Sequence, residues 1–178
     1  MLQIIENFYT DPDEVRDFAL NLDYNVSGNY PGLRTQAMSE EWRTYIKGFL
    51  EDTIHKKITY FPAEYNTAFQ LTLEGAKTWI HHDSTSWAGV LYLTPNAPVD
   101  SGTGIYRHKS GVFMHKEGAL DYNDEKVNED EWEKIVDVGN VYNRLVLYSG
   151  MYYHRSVVPG FGTSKEDGRL FQTFFFDT

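Results

Sequence analysis

Six histidines punctuate the 178-residue chain: His55, His81, His82, His108, His115 and His154. Three of its side chains are placed to share a metal. His81 and Asp83 lie two apart, and in an extended chain residues i and i+2 face the same way, so both can reach one ion while His82 points away. Alone, a His-x-Asp pair is equally well explained by a turn at a strand end. Far downstream, His154 lies in the β-rich run Tyr152-Tyr153-His154-Arg155-Ser156-Val157. Two imidazoles and a carboxylate on neighbouring strands occupy one triangular face of an octahedron and leave three positions open, an arrangement suited to non-haem Fe(II). Arg169 then heads the aromatic run Arg169-Leu170-Phe171-Gln172-Thr173-Phe174-Phe175-Phe176. Its charge needs a partner or water. A dicarboxylate co-substrate would supply one through two parallel charge-assisted hydrogen bonds, and a structural pair with one of the chain's acids would do so too.

Composition narrows the chemistry around these residues. The chain has no cysteine, which removes disulfides, thiolate metal sites and a Cys nucleophile, so a metal must be held by His and carboxylates. With 16 Lys and Arg against 26 Asp and Glu, the net charge is −10, which opposes a phosphate backbone and weighs against nucleic acid as a partner. It also favours a neutral or basic substrate. No apolar run approaches the roughly 18 residues of a membrane span, and the first residues lack the basic and apolar regions of a signal peptide. The expectation is a single domain over 1–178 located in the cytoplasm, the host's cytoplasm if the gene is viral.

The elements that must position the candidates follow from local pattern. A strand is expected over 2–8, then a helix with Thr10 or Asp11 as N-cap, Pro12 in the first turn, and Val15, Phe18, Ala19 and Leu22 on one face. A second helix should begin at Ser39 and present Trp42, Ile46, Phe49 and Leu50 together. From residue 60 onward, short β-rich runs at 67–73, 77–82, 88–94, 104–108, 111–115, 144–148, 152–158 and 169–176 are separated by Gly, Pro, Asn and Asp. That pattern predicts a mainly β sandwich or jelly roll with the N-terminal strand and helices as a buttress. The acidic stretch 121–137, with Glu131, Trp132 and Ile135 at helical spacing, reads as a solvated surface excursion within an insert at about 111–141.

The order His81-x-Asp83, His154, Arg169 resembles the iron(II)- and 2-oxoglutarate-dependent oxygenases, in particular their small prolyl-hydroxylase-like members. The likeness extends through Trp79-Ile80-His81-His82-Asp83 into Gly89-Val90-Leu91-Tyr92-Leu93-Thr94-Pro95. It includes the turn Ser101-Gly102-Thr103-Gly104-Ile105-Tyr106 and the passage Asn143-Arg144-Leu145-Val146-Leu147-Tyr148 followed by His154. The opening Ile4-Ile5-Glu6-Asn7-Phe8-Tyr9 with Asp11-Pro12 is similar to a small subgroup found in bacterial and viral genomes. The resemblance implies a double-stranded β-helix, a cupin-like jelly roll, with Fe(II) held by His81, Asp83 and His154. It implies 2-oxoglutarate as co-substrate with its distal carboxylate on Arg169, and O2 as oxidant. The products would be succinate, CO2 and a hydroxylated small molecule or peptide. Asp83 favours hydroxylation, since related halogenases have a small residue in its place.

By the same resemblance Gln70 and Thr72, on one face of the strand before the metal ligands, and Tyr92 on the strand after them, are candidates for holding the co-substrate. Each is as well explained as a barrel or core residue. Trp87 could line the substrate entrance or simply pack. The cluster Arg107-His108-Lys109 reads better as a solvated loop than as a substrate contact. His55 and His115 receive no role. Two other readings remain: a cupin-type metalloenzyme that does not use 2-oxoglutarate, and a non-catalytic jelly-roll binding module.

Overall fold

Asp11 starts the first helix: its side chain accepts from the Glu14 N–H at 3.2 Å, and Pro12 follows where a missing N–H costs nothing. Ser39 does the same for the second, accepting from Trp42 N at 3.2 Å. The computed structural model describes residues 1–64, 66–116 and 129–178. Its elements are β1 (Leu2–Ile5), α1 (Pro12–Leu20), β2 (Leu33–Arg34), α2 (Glu40–Ile54), β3 (Phe69–Thr72), β4 (Trp87–Tyr92), β5 (Thr103–His108), β6 (Trp132–Val138), β7 (Leu145–Tyr148), β8 (His154–Ser156) and β9 (Arg169–Phe176). No helix among the described residues is long and apolar enough to cross a membrane.

Two antiparallel sheets form, one in the order β1-β7-β4-β9-β3-β2 and one in the order β6-β5-β8. Strand parity gives the larger sheet two different faces. On one, Leu71, Leu91, Leu147, Leu170, Phe174 and Phe176 pack with Ala19 of α1 and Ile46, Leu50 and Ile54 of α2. On the other, Ala88, Tyr92, Val146, Tyr148 and Phe171 meet Val138 of the smaller sheet. The result is a mainly β jelly roll, the double-stranded β-helix expected from the sequence, with both helices on its outer face.

Three expected elements differ. The run 77–82 forms no ladder: His81 alone pairs, through His81 N to His154 O at 3.1 Å and His154 N to His81 O at 2.8 Å. The run 111–115 is likewise reduced to one bridge, Met114 with Tyr152. The C-terminal part of the acidic stretch, expected as a surface excursion, forms strand β6, which pairs along β5 from Trp132–His108 to Val138–Thr103. Residues 117–128 of the expected insert lie outside the described residues.

Candidate metal centre and its cavity

The reciprocal His81–His154 bridge sets the two imidazoles side by side, ring centroids 4.4 Å apart. Asp83 is fixed by its own backbone, whose N–H donates to Gly150 O at 2.7 Å. Each imidazole is oriented by a main-chain carbonyl: His81 Nδ1 to Trp79 O at 3.0 Å, and His154 Nδ1 to Tyr152 O at 2.7 Å. A carbonyl only accepts, so both Nδ1 atoms carry a proton, and in the neutral imidazoles both Nε2 atoms present lone pairs. Those lone pairs face Asp83. His154 Nε2 lies 3.2 Å from Oδ2, and His81 Nε2 lies 3.9 Å from Oδ1.

Two bare acceptors this close repel each other unless a cation joins them. With both imidazoles neutral, the buried Asp83 Oδ2 has no hydrogen-bond donor among the described residues, as a metal ligand would before its metal. The ligand atoms of His81, Asp83 and His154 all lie within 4.8 Å of one another. Their chemistry, two imidazole nitrogens and a carboxylate oxygen, suits a divalent transition metal. Burial opposes the charge on Asp83; in the metal-free protein the His154 and His81 imidazoles, where protonated, and the Arg34 guanidinium outweigh it and hold the carboxyl below its usual range. The His81 imidazole is pushed down to about 4, first by burial and then by the facing His154.

The triad opens into a cavity of about 740 Å³. Along β9, Arg169, Phe171, Thr173 and Phe175 all line it. Arg169 is 1% exposed. Its Nε donates to Ser101 O at 3.1 Å, and its guanidinium lies 4.3 Å from the centre of the Phe171 ring and 5.7 Å from that of Tyr92. Among the described residues no carboxylate forms an ion pair with it. Burial disfavours its charge, partly countered by Tyr92 and Tyr148.

The other sequence candidates fall at different depths. Gln70 lines the cavity, accepting from Arg34 Nε at 2.7 Å and donating to Pro31 O at 2.6 Å. Thr72 is the cross-strand partner of Arg169, with a buried hydroxyl that meets no partner. Tyr92 is buried beside the same arginine and shares a 2.7 Å hydrogen bond with Thr103. Trp87 does not line the entrance: it falls on the opposite strand parity, facing the helices, and stacks on Phe176 with ring centroids 5.8 Å apart. Arg107 and His108 end strand β5 rather than lying in the expected loop: Arg107 pairs with Glu133 on the surface at 2.6 Å, His108 meets the Ser110 hydroxyl at 2.8 Å, and neither lines the cavity. Among the cavity residues to which sequence reasoning gave no role are Arg34 and Tyr148. The Tyr148 ring meets His154 edge-on at 4.7 Å, and its position next to the quoted Leu145-Val146-Leu147 passage was the available signal. Arg34 sits on a two-residue strand that carries no periodicity.

A jelly roll carrying this donor set at the mouth of a cavity has the fold of the iron- and 2-oxoglutarate-dependent oxygenases. The chain belongs to the family of unknown function DUF6445, whose model matches residues 1–176. Among solved structures it is similar to a prolyl-4-hydroxylase of Pseudomonas putida, at 17% identity and a TM-score of 0.57 over 98% of this chain and 91% of that one. A prolyl hydroxylase of Trichoplax adhaerens, solved with a hypoxia inducible factor peptide, is similar at 16% identity and a TM-score of 0.58, over 99% and 83%. HygX of Streptomyces hygroscopicus, solved with nickel, 2-oxoglutarate and hygromycin B, is similar at 11% identity and a TM-score of 0.61, over 98% and 82%. At these identities the likeness is one of fold. No functionally curated protein matches the sequence.

Proposed function

We propose that the protein is an Fe(II)- and 2-oxoglutarate-dependent dioxygenase that hydroxylates a small-molecule or peptide substrate. O2 and 2-oxoglutarate would be consumed, and succinate and CO2 formed. The observation that carries this reading is the cluster of His81, Asp83 and His154, whose ligand atoms lie within 4.8 Å of one another, with both Nδ1 atoms on main-chain carbonyls and both Nε2 atoms directed at the Asp83 carboxylate. Iron bound by His81, Asp83 and His154 would supply oxygen activation coupled to decarboxylation of the co-substrate. Arg169 binds the distal carboxylate: it is buried, lies on the cavity wall and forms no ion pair with a described acid. Phe171 and Tyr92 flank its guanidinium and keep water from it, which strengthens the charge-assisted bonds it offers. Thr72, across the strand pair from Arg169, adds a hydroxyl close to the same carboxylate. Gln70 acts through Arg34, whose position it fixes. HygX, solved with nickel and 2-oxoglutarate, supports such a co-substrate in this fold.

Anaerobic addition of Fe(II) and 2-oxoglutarate should give a weak visible charge-transfer band that is lost in His81→Ala and His154→Ala. Admission of air should then yield succinate. A wild-type protein that gives neither band nor succinate is not an oxygenase of this class. A metal-dependent activity indifferent to 2-oxoglutarate would identify the cupin-type alternative instead.

A further inference from the structure

A second buried arginine stands in the cavity. Arg34 ends β2, 8% exposed, directly across from Gln70 in the strand register. Its Nε donates to Gln70 Oε1 at 2.7 Å, and its Cζ lies 3.8 Å from the centre of the Tyr30 ring and 5.7 Å from that of Phe175. The hydrogen bond to Gln70 in the guanidinium plane and the Tyr30 ring against its face help to fix the group's orientation, which gives it the character of a preorganised fork for a planar anion. Its field reaches the triad, since it is one of the three cations or imidazoles that keep Asp83 ionised against burial.

The co-substrate does not account for this arginine. In the reading above, both carboxylates of 2-oxoglutarate are committed, one to the metal and one to Arg169, which lies two strands away on the same sheet face. The cavity's charge also runs against that of the chain. Among the described residues its wall carries Arg34, Arg169 and Arg155, the last paired with Glu129, against Glu64 and Asp83, in a protein of net charge −10. The wall carries a larger share of cations than the chain as a whole. The volume, about 740 Å³, falls within the roughly 300–1,000 Å³ of small-molecule sites.

We propose that Arg34 is the substrate anchor and that the substrate is a small carboxylic acid, its carboxylate held by the Arg34 guanidinium while the remainder of the molecule faces the triad. This rests on the oxygenase reading. The test uses Zn(II)-loaded protein with saturating 2-oxoglutarate, which binds without turnover. Ligand-observed NMR is recorded for the proteinogenic amino acids and three- to six-carbon carboxylic acids, each beside its primary amide, and for inorganic phosphate. At least one acid should bind about 10- to 100-fold more tightly than its amide, the range expected of a charge-assisted pair.

Arg34→Met should abolish that preference, and Arg34→Lys, which keeps the charge but not the fork, should weaken it. Tyr30→Ala, outside every strand and helix, should weaken it as well and serves if Arg34→Met does not fold. Acids and amides binding alike, a preference that survives Arg34→Met, no acid binding, or phosphate binding in place of the acids would each overturn the assignment. The iron–2-oxoglutarate band, recorded on the same preparations, separates the two failures. Its absence in wild type overturns the oxygenase reading, while a normal band without acid preference overturns only the role of Arg34.

Discussion

Replacing Arg169 by Met distinguishes a ligand-binding arginine from a structural one. Met is of similar length and uncharged. In the metal-free protein the substitution removes a hydrogen bond to Ser101 O, of a charged kind contributing about 1.5–3 kcal/mol, and ring contacts of about 0.5–2 kcal/mol. It also relieves a cation held 1% exposed with no described acid beside it, a penalty on the order of several kcal/mol. These contributions oppose one another, and at about 2–4 °C per kcal/mol for a chain of this size, melting should move by only a few degrees. The co-substrate has no such offset. Losing its buried partner should cost about 3–5 kcal/mol, or about 150- to 5,000-fold in affinity. At 2-oxoglutarate 100 times above the dissociation constant, wild type gains about 2.7 kcal/mol, a rise of about 5–11 °C. A variant weakened about 300-fold gains about 0.2 kcal/mol, less than about 1 °C. Thermal melting of the Zn(II)-loaded proteins with and without 2-oxoglutarate reads both quantities. A metal-free variant melting more than about 10 °C below wild type, yet keeping the 2-oxoglutarate shift, would refute the reasoning and make Arg169 a structural residue.

Gly150→Ala should impair metal binding more than folding: its new Cβ would stand 2.3 Å from Thr85 O and 3.2 Å from Asp83 Cβ. Metal titration should show about tenfold weaker binding, with about 1–3 kcal/mol lost in denaturant unfolding. The His81 imidazole, held near 4 in the folded protein against 6.5 when unfolded, gives a stability that depends on pH. Between those values the unfolded chain binds more protons, so metal-free stability should fall as pH drops from 6.5 toward 4, and His81→Gln should flatten that slope in pH-dependent melts. Trp87→Ala should cost about 3–5 kcal/mol in denaturant unfolding, and at temperatures where the variant is folded it should leave the 2-oxoglutarate dissociation constant unchanged.

The sequence showed best what local chemistry decides. Asp11, one of two N-cap candidates, and Ser39, the expected start of the second helix, could be read because a side-chain oxygen placed before an amphipathic run caps the helix there. The run 169–176 could be read because eight β-prone residues end at defined breaks, and it forms β9 over the same range. Pairing decided the rest. The spacing of Glu131, Trp132 and Ile135 suited a helix, but β5 offers that segment a ladder. Trp87 looked like an entrance residue from its nearness to Asp83, and only the register against Phe176 sends it to the helix side. Arg34 had no local signal, since its importance comes from Gln70, Tyr30 and Asp83, all distant in sequence or on a loop.

β9 alternates between two environments at every step: Arg169, Phe171, Thr173 and Phe175 line the cavity, while Leu170, Phe174 and Phe176 belong to the core shared with the helices. Changes of residue and changes of length should therefore have opposite fates in this strand. A substitution on the cavity parity alters what the site accepts and leaves the helix packing alone. Deleting or inserting one residue would exchange the two sets, turning the Arg169 charge toward the helices and Leu170, Phe174 and Phe176 toward the cavity. Binding preference can drift here by point mutation, whereas the reading frame of the strand cannot slip by a single position without losing core and site together.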